Sequence, residues 1–165
     1  MKKLLIFCSL AACFLLLIPR VALGLNTAEV QERGGEITLM FIGDKGLQLG
    51  VEYGITPEVG AYVEMKNDVT SIGAKYELDS NFAILLGAKN KAPFLGVNIS
   101  MALDEYICLM GDLNLSLTNS QLSALCEMGA AFKIVDNLDL RGGLLAEVDP
   151  SGRNLNFQMG VGINY

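Results

Sequence analysis

The chain has 165 residues, room for one domain and little more. Its formal net charge is −6, and because residues 1–24 hold three bases (Lys2, Lys3, Arg20) and no acid, the remainder stands at −9. That excludes nucleic acid as a natural partner, since binding phosphates needs clustered Lys and Arg. The total absence of histidine removes the commonest general base.

The first 24 residues have the three parts of a secretory signal peptide: Lys2-Lys3, an apolar run from Leu4 to Ile18, and small residues at Ala22-Leu23-Gly24. About 15 apolar residues are too few for a membrane span, which needs roughly 20. Leu10-Ala11-Ala12-Cys13 resembles a lipobox, but the apolar run continues through Phe14-Leu15-Leu16-Leu17, where a lipidated terminus is followed by small or polar residues. Export is the expectation, with residues 1–24 removed. Residues 25–35, LNTAEVQERGG, form a short polar lead-in, and 36–165 form the folded domain.

From residue 36 the pattern has period two, the mark of strands. The first pair, Glu36 to Phe41 and Gly46 onward, is the least regular. In GLQLGVEYGI, Leu47, Leu49, Val51, Tyr53 and Ile55 oppose Gln48, Gly50, Glu52 and Gly54. VGAYVEMK and SIGAKYEL alternate in the same way. In the last strand Leu155, Phe157, Met159, Val161, Ile163 and Tyr165 oppose Asn154, Asn156, Gln158, Gly160, Gly162 and Asn164. Turn residues recur near Asp44, Pro57, Asn67, Ser80, Lys91, Asp104, Asn119, Asp136 and Pro150. Asp149-Pro150-Ser151-Gly152 fits a type I turn. Nine turns predict about ten strands, with eight as the alternative count, in one all-β antiparallel up-and-down meander. Closing it into a barrel removes the exposed edges.

Alternation does not say which face looks outward. A soluble barrel would hide the apolar face around a ligand, whereas a transmembrane barrel would show it to lipid. Strands of about ten residues, tilted about 45°, match the roughly 25 Å lipid-facing band. Glycines also collect on the polar face, at Gly50, Gly54, Gly60, Gly73, Gly87, Gly96, Gly129, Gly143, Gly160 and Gly162, with Gly111 and Gly142 as exceptions. They weaken a strand that faces water, but they make room in a narrow lumen.

The final octet, QMGVGINY, runs polar at Gln158, glycine at Gly160, apolar at Ile163 and aromatic at Tyr165. It resembles the C-terminal β-signal of bacterial outer-membrane barrels. The resemblance implies an outer-membrane location, contact with the lipid bilayer and recognition by the barrel assembly machinery. It also places the turns near Pro57, Ser80, Asp104 and Asp136 in the periplasm and the other five outside. Outer-membrane proteases of the omptin type and the barrel acyltransferases rely on a catalytic histidine, so neither catalytic set maps onto this chain. No catalytic residue, metal cluster or cofactor is expected.

A ten-strand barrel has a backbone radius near 10 Å, which inward side chains would largely fill. The expected lumen charges are Glu52, Glu64, Lys66, Lys75, Glu77, Lys89, Asp112, Glu127, Lys133, Asp139, Arg141 and Glu147. Counting back from the turns sets Lys133 opposite Asp139 as an ion pair, and Asp112 opposite Glu127 as two facing acids. Either Arg141 or a lumen lysine neutralises that pair, or one carboxyl stays protonated, or the pair binds a cation. The same register points Cys108 inward and Cys126 outward, several residues apart, so they are expected as free thiols. The functional expectation is an outer-membrane barrel with a polar, mostly filled lumen in a structural or interaction role. The alternatives are a narrow channel for small ions or solutes, or a secreted soluble barrel around an apolar ligand.

Overall fold

The computed structural model describes residues 26–66, 69–118, 121–150 and 152–165. The signal-peptide stretch and parts of three turns (Asn67-Asp68, Asn119-Ser120 and Ser151) lie outside the described residues. Ten strands follow one another: β1 Gly35–Ile42, β2 Gly46–Gly54, β3 Val59–Lys66, β4 Val69–Asp79, β5 Phe82–Lys89, β6 Ala92–Ala102, β7 Ile107–Thr118, β8 Gln121–Val135, β9 Leu138–Asp149 and β10 Gly152–Asn164. Each pairs antiparallel with its sequence neighbours, and β10 returns to β1, so the sheet closes. The count is ten, and the irregular first pair is two strands joined by a 3-10 turn at Gly43–Lys45.

Closure aligns Ile37 with Ile163, Leu39 with Val161 and Phe41 with Met159 on the outer face. On the inner face it aligns Thr38 with Gly162, Met40 with Gly160 and Ile42 with Gln158. Tyr165 continues the seam, exchanging backbone hydrogen bonds with Gly35 at 3.0 Å each way. Its hydroxyl donates to the Glu52 carbonyl oxygen at 3.2 Å.

The apolar face looks outward. Leu155 is 66% exposed, Leu47 60%, Ile72 59% and Phe157 58%. The inner face buries Glu52, Glu64, Lys75, Asp112, Glu127, Arg141 and Glu147. Inner glycines supply space where a large side chain crosses the lumen. A Cβ at Gly162 would overlap the Arg141 guanidinium, one at Gly73 the Tyr62 ring, and one at Gly96 the Asn114 amide. Gly111 and Gly142 face outward, where a Cβ would meet nothing closer than 3.5 Å.

The lumen is less polar than the alternation implies. Met40, Ile42, Met110, Leu125, Ala131 and Leu145 form a buried apolar cluster inside it, with Cys108 packed alongside. Tyr62, Leu85 and Phe94 form a second one, their two rings 6.3 Å apart and tilted by 49°. Cys108 and Cys126 are free, as the register requires: Cys108 lies opposite Ala131 and Cys126 opposite Leu113.

The β5–β6 hairpin turns on Asn90 and Lys91, both with positive φ (46° and 72°). That is the type I′ requirement, which asparagine tolerates and lysine does not. Lys91→Gly should raise the unfolding free energy by about 1 kcal/mol, read from urea titration of the refolded barrel in detergent.

Candidate functional site in the lumen

Three groups of side chains occupy the interior. The first centres on Arg141, 1% exposed. Its guanidinium donates two parallel hydrogen bonds to Glu36 (2.9 and 2.6 Å) and two more to Asp139 (2.5 and 2.9 Å). The planar fork suits two carboxylates at once. Glu36 is absent from the sequence-derived set because the irregular first strand hid its parity. It lies directly opposite Glu52, a second pair of facing acids. Here each acid has its own cation: Arg141 serves Glu36, while Lys75 donates to both oxygens of Glu52 at 2.6 and 2.8 Å.

The second group is Asp112 and Glu127, directly opposite one another on β7 and β8 and 3% and 0% exposed. Of the cations expected to neutralise them, Arg141 or a lumen lysine, the Arg141 guanidinium is forked onto Glu36 and Asp139. Amides hold them instead: Asn98 Nδ2 donates to Asp112 Oδ2 and Gln158 Nε2 to Glu127 Oε2, each at 2.9 Å. Gln158 comes from β10 on another part of the wall, which local pairing does not reveal.

The third group lies towards the opposite end. Glu147 meets Lys45, which folds in from the 3-10 turn, and Lys66 Nζ stands 3.9 Å from its other oxygen. Lys89 is half-buried. Lys133 departs from expectation. Its backbone is opposite Asp139, but its ammonium is exposed and pairs with Asp136 in the turn at 2.8 Å. That hydrogen bond holds the Asp136 carboxyl below its ordinary value. The register slips by one residue between Lys133 and Val135, and Arg141 already occupies Asp139.

Residues 26–30 are the largest departure. They are not a free lead-in but run inside the barrel, with Ala28 and Val30 buried. Their backbone is gripped by lumen side chains. Lys75 donates to the Thr27 carbonyl oxygen at 2.7 Å and Asn98 to that of Asn26 at 2.9 Å. The Ala28 N–H donates to Ser100 at 3.1 Å and the Val30 N–H to Glu77 at 2.5 Å. Glu77 and Lys75 therefore bind the chain's own segment. The reversal that feeds it inward is a turn closed by the Gly34 N–H on the Gln31 carbonyl (3.0 Å), with Arg33 left-handed at φ 57°. Only Gly34-Gly35 marked this bend in the sequence. At Gly54 a Cβ would strike the Gln31 carbonyl, so glycine there lets the segment pass.

Among the described residues no three Cys, Asp or Glu gather as metal ligands, and no helix is long and apolar enough to cross a membrane.

No family model matches the chain, and neither does any curated protein. Several solved structures resemble it. Ail of Yersinia pestis, in a phospholipid bilayer nanodisc, is 12% identical over 81% of this chain and 100% of that one, with a TM-score of 0.47. The N-terminal β-barrel domain of Pseudomonas aeruginosa OprF is 14% identical over 81% and 98%, with a TM-score of 0.41. The KdgM porin is 10% identical over 80% and 98%, at 0.42. Likeness at this level carries no functional argument.

Arg141→Met should leave Glu36 and Asp139 buried without a cation and destabilise the barrel by roughly 3–5 kcal/mol, measured by urea unfolding. Gly54→Val should expel the N-terminal segment while the barrel persists. Limited proteolysis should then cut within residues 26–30, which stay protected in the parent chain.

Proposed function

We propose that this chain is a bacterial outer-membrane β-barrel, exported by its signal peptide, whose filled lumen suits a structural or interaction role and not transport. The observation that carries the reading is the solvent preference of its two faces. Large apolar side chains cover the outside of the closed sheet, while carboxylates and ammonium groups are buried within. Fully burying one such apolar side chain is worth about 1.5–3 kcal/mol. A belt of them in water would be a severe aggregation hazard, whereas in lipid it is the ordinary surface of a barrel.

The secreted soluble alternative would place the apolar face inside around a ligand, and the observed faces oppose it. The narrow-channel alternative has less support than the filled one. Two apolar clusters, the Arg141 group and the N-terminal segment share the interior, leaving little continuous polar path.

The β-signal reading draws support from β10. Ile163 and Tyr165 are outward and partly exposed, available to an assembly factor before closure, whereas Gln158 turns inward to Glu127. Gly160 faces Met40 across the seam, where a Cβ would strike the β1 backbone. The lipid bilayer and the barrel assembly machinery are the partners this reading implies.

The processed protein should need detergent to stay monomeric and should migrate differently on gels before and after heating. In planar bilayers it should show no steady single-channel conductance. Folded, monomeric behaviour in detergent-free buffer would overturn the membrane assignment, and regular channel openings would restore the channel reading.

A further inference from the structure

Among the described residues, the hydrogen bonds that hold residues 26–30 in the lumen all go to main-chain groups. The N–H groups of three alternate residues donate to lumen side chains: Asn26 to Asp112, Ala28 to Ser100 at 3.1 Å and Val30 to Glu77 at 2.5 Å. Two carbonyl oxygens accept, that of Asn26 from Asn98 at 2.9 Å and that of Thr27 from Lys75 at 2.7 Å. The buried side chains of the segment are Ala28 and Val30, both small, whereas Glu29 between them is exposed. The wall therefore reads peptide backbone, and of side chains it asks only small size at two positions.

The barrel sets these groups in place by itself. Glu52 fixes the Lys75 ammonium at 2.6 and 2.8 Å, Asp112 accepts from the Asn98 amide at 2.9 Å, and Ser100 Oγ donates to the Ser80 carbonyl oxygen at 3.3 Å. The directly paired Gly54 and Gly60 leave a notch where the segment enters. A Cβ on Gly54 would strike the Gln31 carbonyl, and one on Gly60 would come within 3.6 Å of the Val30 side chain. A site set in advance costs little to fill. The segment itself belongs to no strand, and among the described residues none of its main-chain groups bonds to another main-chain group. It is held as a ligand is held and is not woven into the sheet. The turn over residues 31–34, with Arg33 left-handed, is the pivot on which it can leave.

We propose that this wall is an exchangeable peptide-binding site. Its ligand is a short segment of another polypeptide, taken up through its main chain, with a small residue and then, two positions on, a valine-sized one. The chain's own residues 26–30 fill the site and compete for it. The proposal does not depend on the membrane reading, since it concerns only the interior.

The test uses the full chain purified in detergent, with its own segment driven out in two ways. Gly54→Val closes the notch, and Val30→Asp sets a carboxylate near Glu77 without altering the wall. Cleavage after Glu29 by a glutamate-specific protease reports that the segment is out. The probe is the pentapeptide of residues 26–30, acetylated and amidated, which ends before the Gln31 carbonyl that Gly54 faces. Binding is read by titration calorimetry. Each opened variant should bind one peptide per barrel. The parent should bind it about tenfold more weakly or worse, because its tethered segment competes at high effective concentration. Methylating the peptide nitrogen of Ala28 or Val30 removes a donor and should weaken binding about tenfold, and Ala28→Leu in the peptide should do the same. Glu29→Lys in the peptide should leave binding unchanged. A segment that resists cleavage in both variants, an opened barrel that takes up no peptide, or equal binding with and without the methyl groups each overturns the proposal.

Discussion

Closure of β10 onto β1 is the contact on which the other features rest. A strand whose outer side chains are Leu, Ile and Phe cannot leave its backbone donors and acceptors to water, so each edge needs a partner. The seam provides it from Glu36↔Asn164 to Ile42↔Gln158, and Tyr165 extends it by one further exchange with Gly35. The final residue is therefore a working part of the sheet, with its ring hydroxyl reaching β2. Closure also creates the enclosed interior in which every charge must find a partner across the barrel.

Inside, the arrangement follows from donor counting. Arg141 divides its fork between Glu36 and Asp139, and Lys75 spends all three donors on Glu52 and the Thr27 carbonyl. The lumen thus sorts its acids into those hydrogen-bonded by a cation and those hydrogen-bonded by side-chain amides. Asp112 and Glu127 belong to the second class. The N-terminal segment is part of the same scheme, because lumen side chains satisfy its backbone groups as a neighbouring strand would. Where the interior has no polar work to do, Met40, Ile42, Met110, Leu125 and Leu145 fill it, and polar groups left without partners there would cost more than burying methylenes.

Hairpin registers were legible because two-residue turns leave no freedom. Counting from Asn119-Ser120 placed Asp112 opposite Glu127, and counting around Asp136 placed Lys133 opposite Asp139. The strict two-residue turn Asp136-Asn137 would have shifted that second pairing to Leu140, and the one-residue slip between Lys133 and Val135 restores it. What failed was the step from register to ion pair. Lys133 is opposite Asp139 yet binds Asp136, because Asp139 is taken by Arg141 and the local bulge turns the lysine towards the mouth. Glu36 went unread because a strand bearing Met40 and Ile42 inward does not alternate in the way its neighbours do.

Glycine placement and strand length pointed the apolar face outward. The order of residues alone determined a meander of about ten strands, its up-and-down path and the separation of the two cysteines. All of these follow from period-two alternation and short turns, which are local properties. Only the tertiary structure decided that residues 26–30 enter the barrel, that Gln158 holds Glu127, and that Arg141 joins Glu36 to Asp139. Those contacts span 31 to 105 positions along the chain. They are set by the curvature that brings distant strands face to face across the lumen, and no periodicity encodes that.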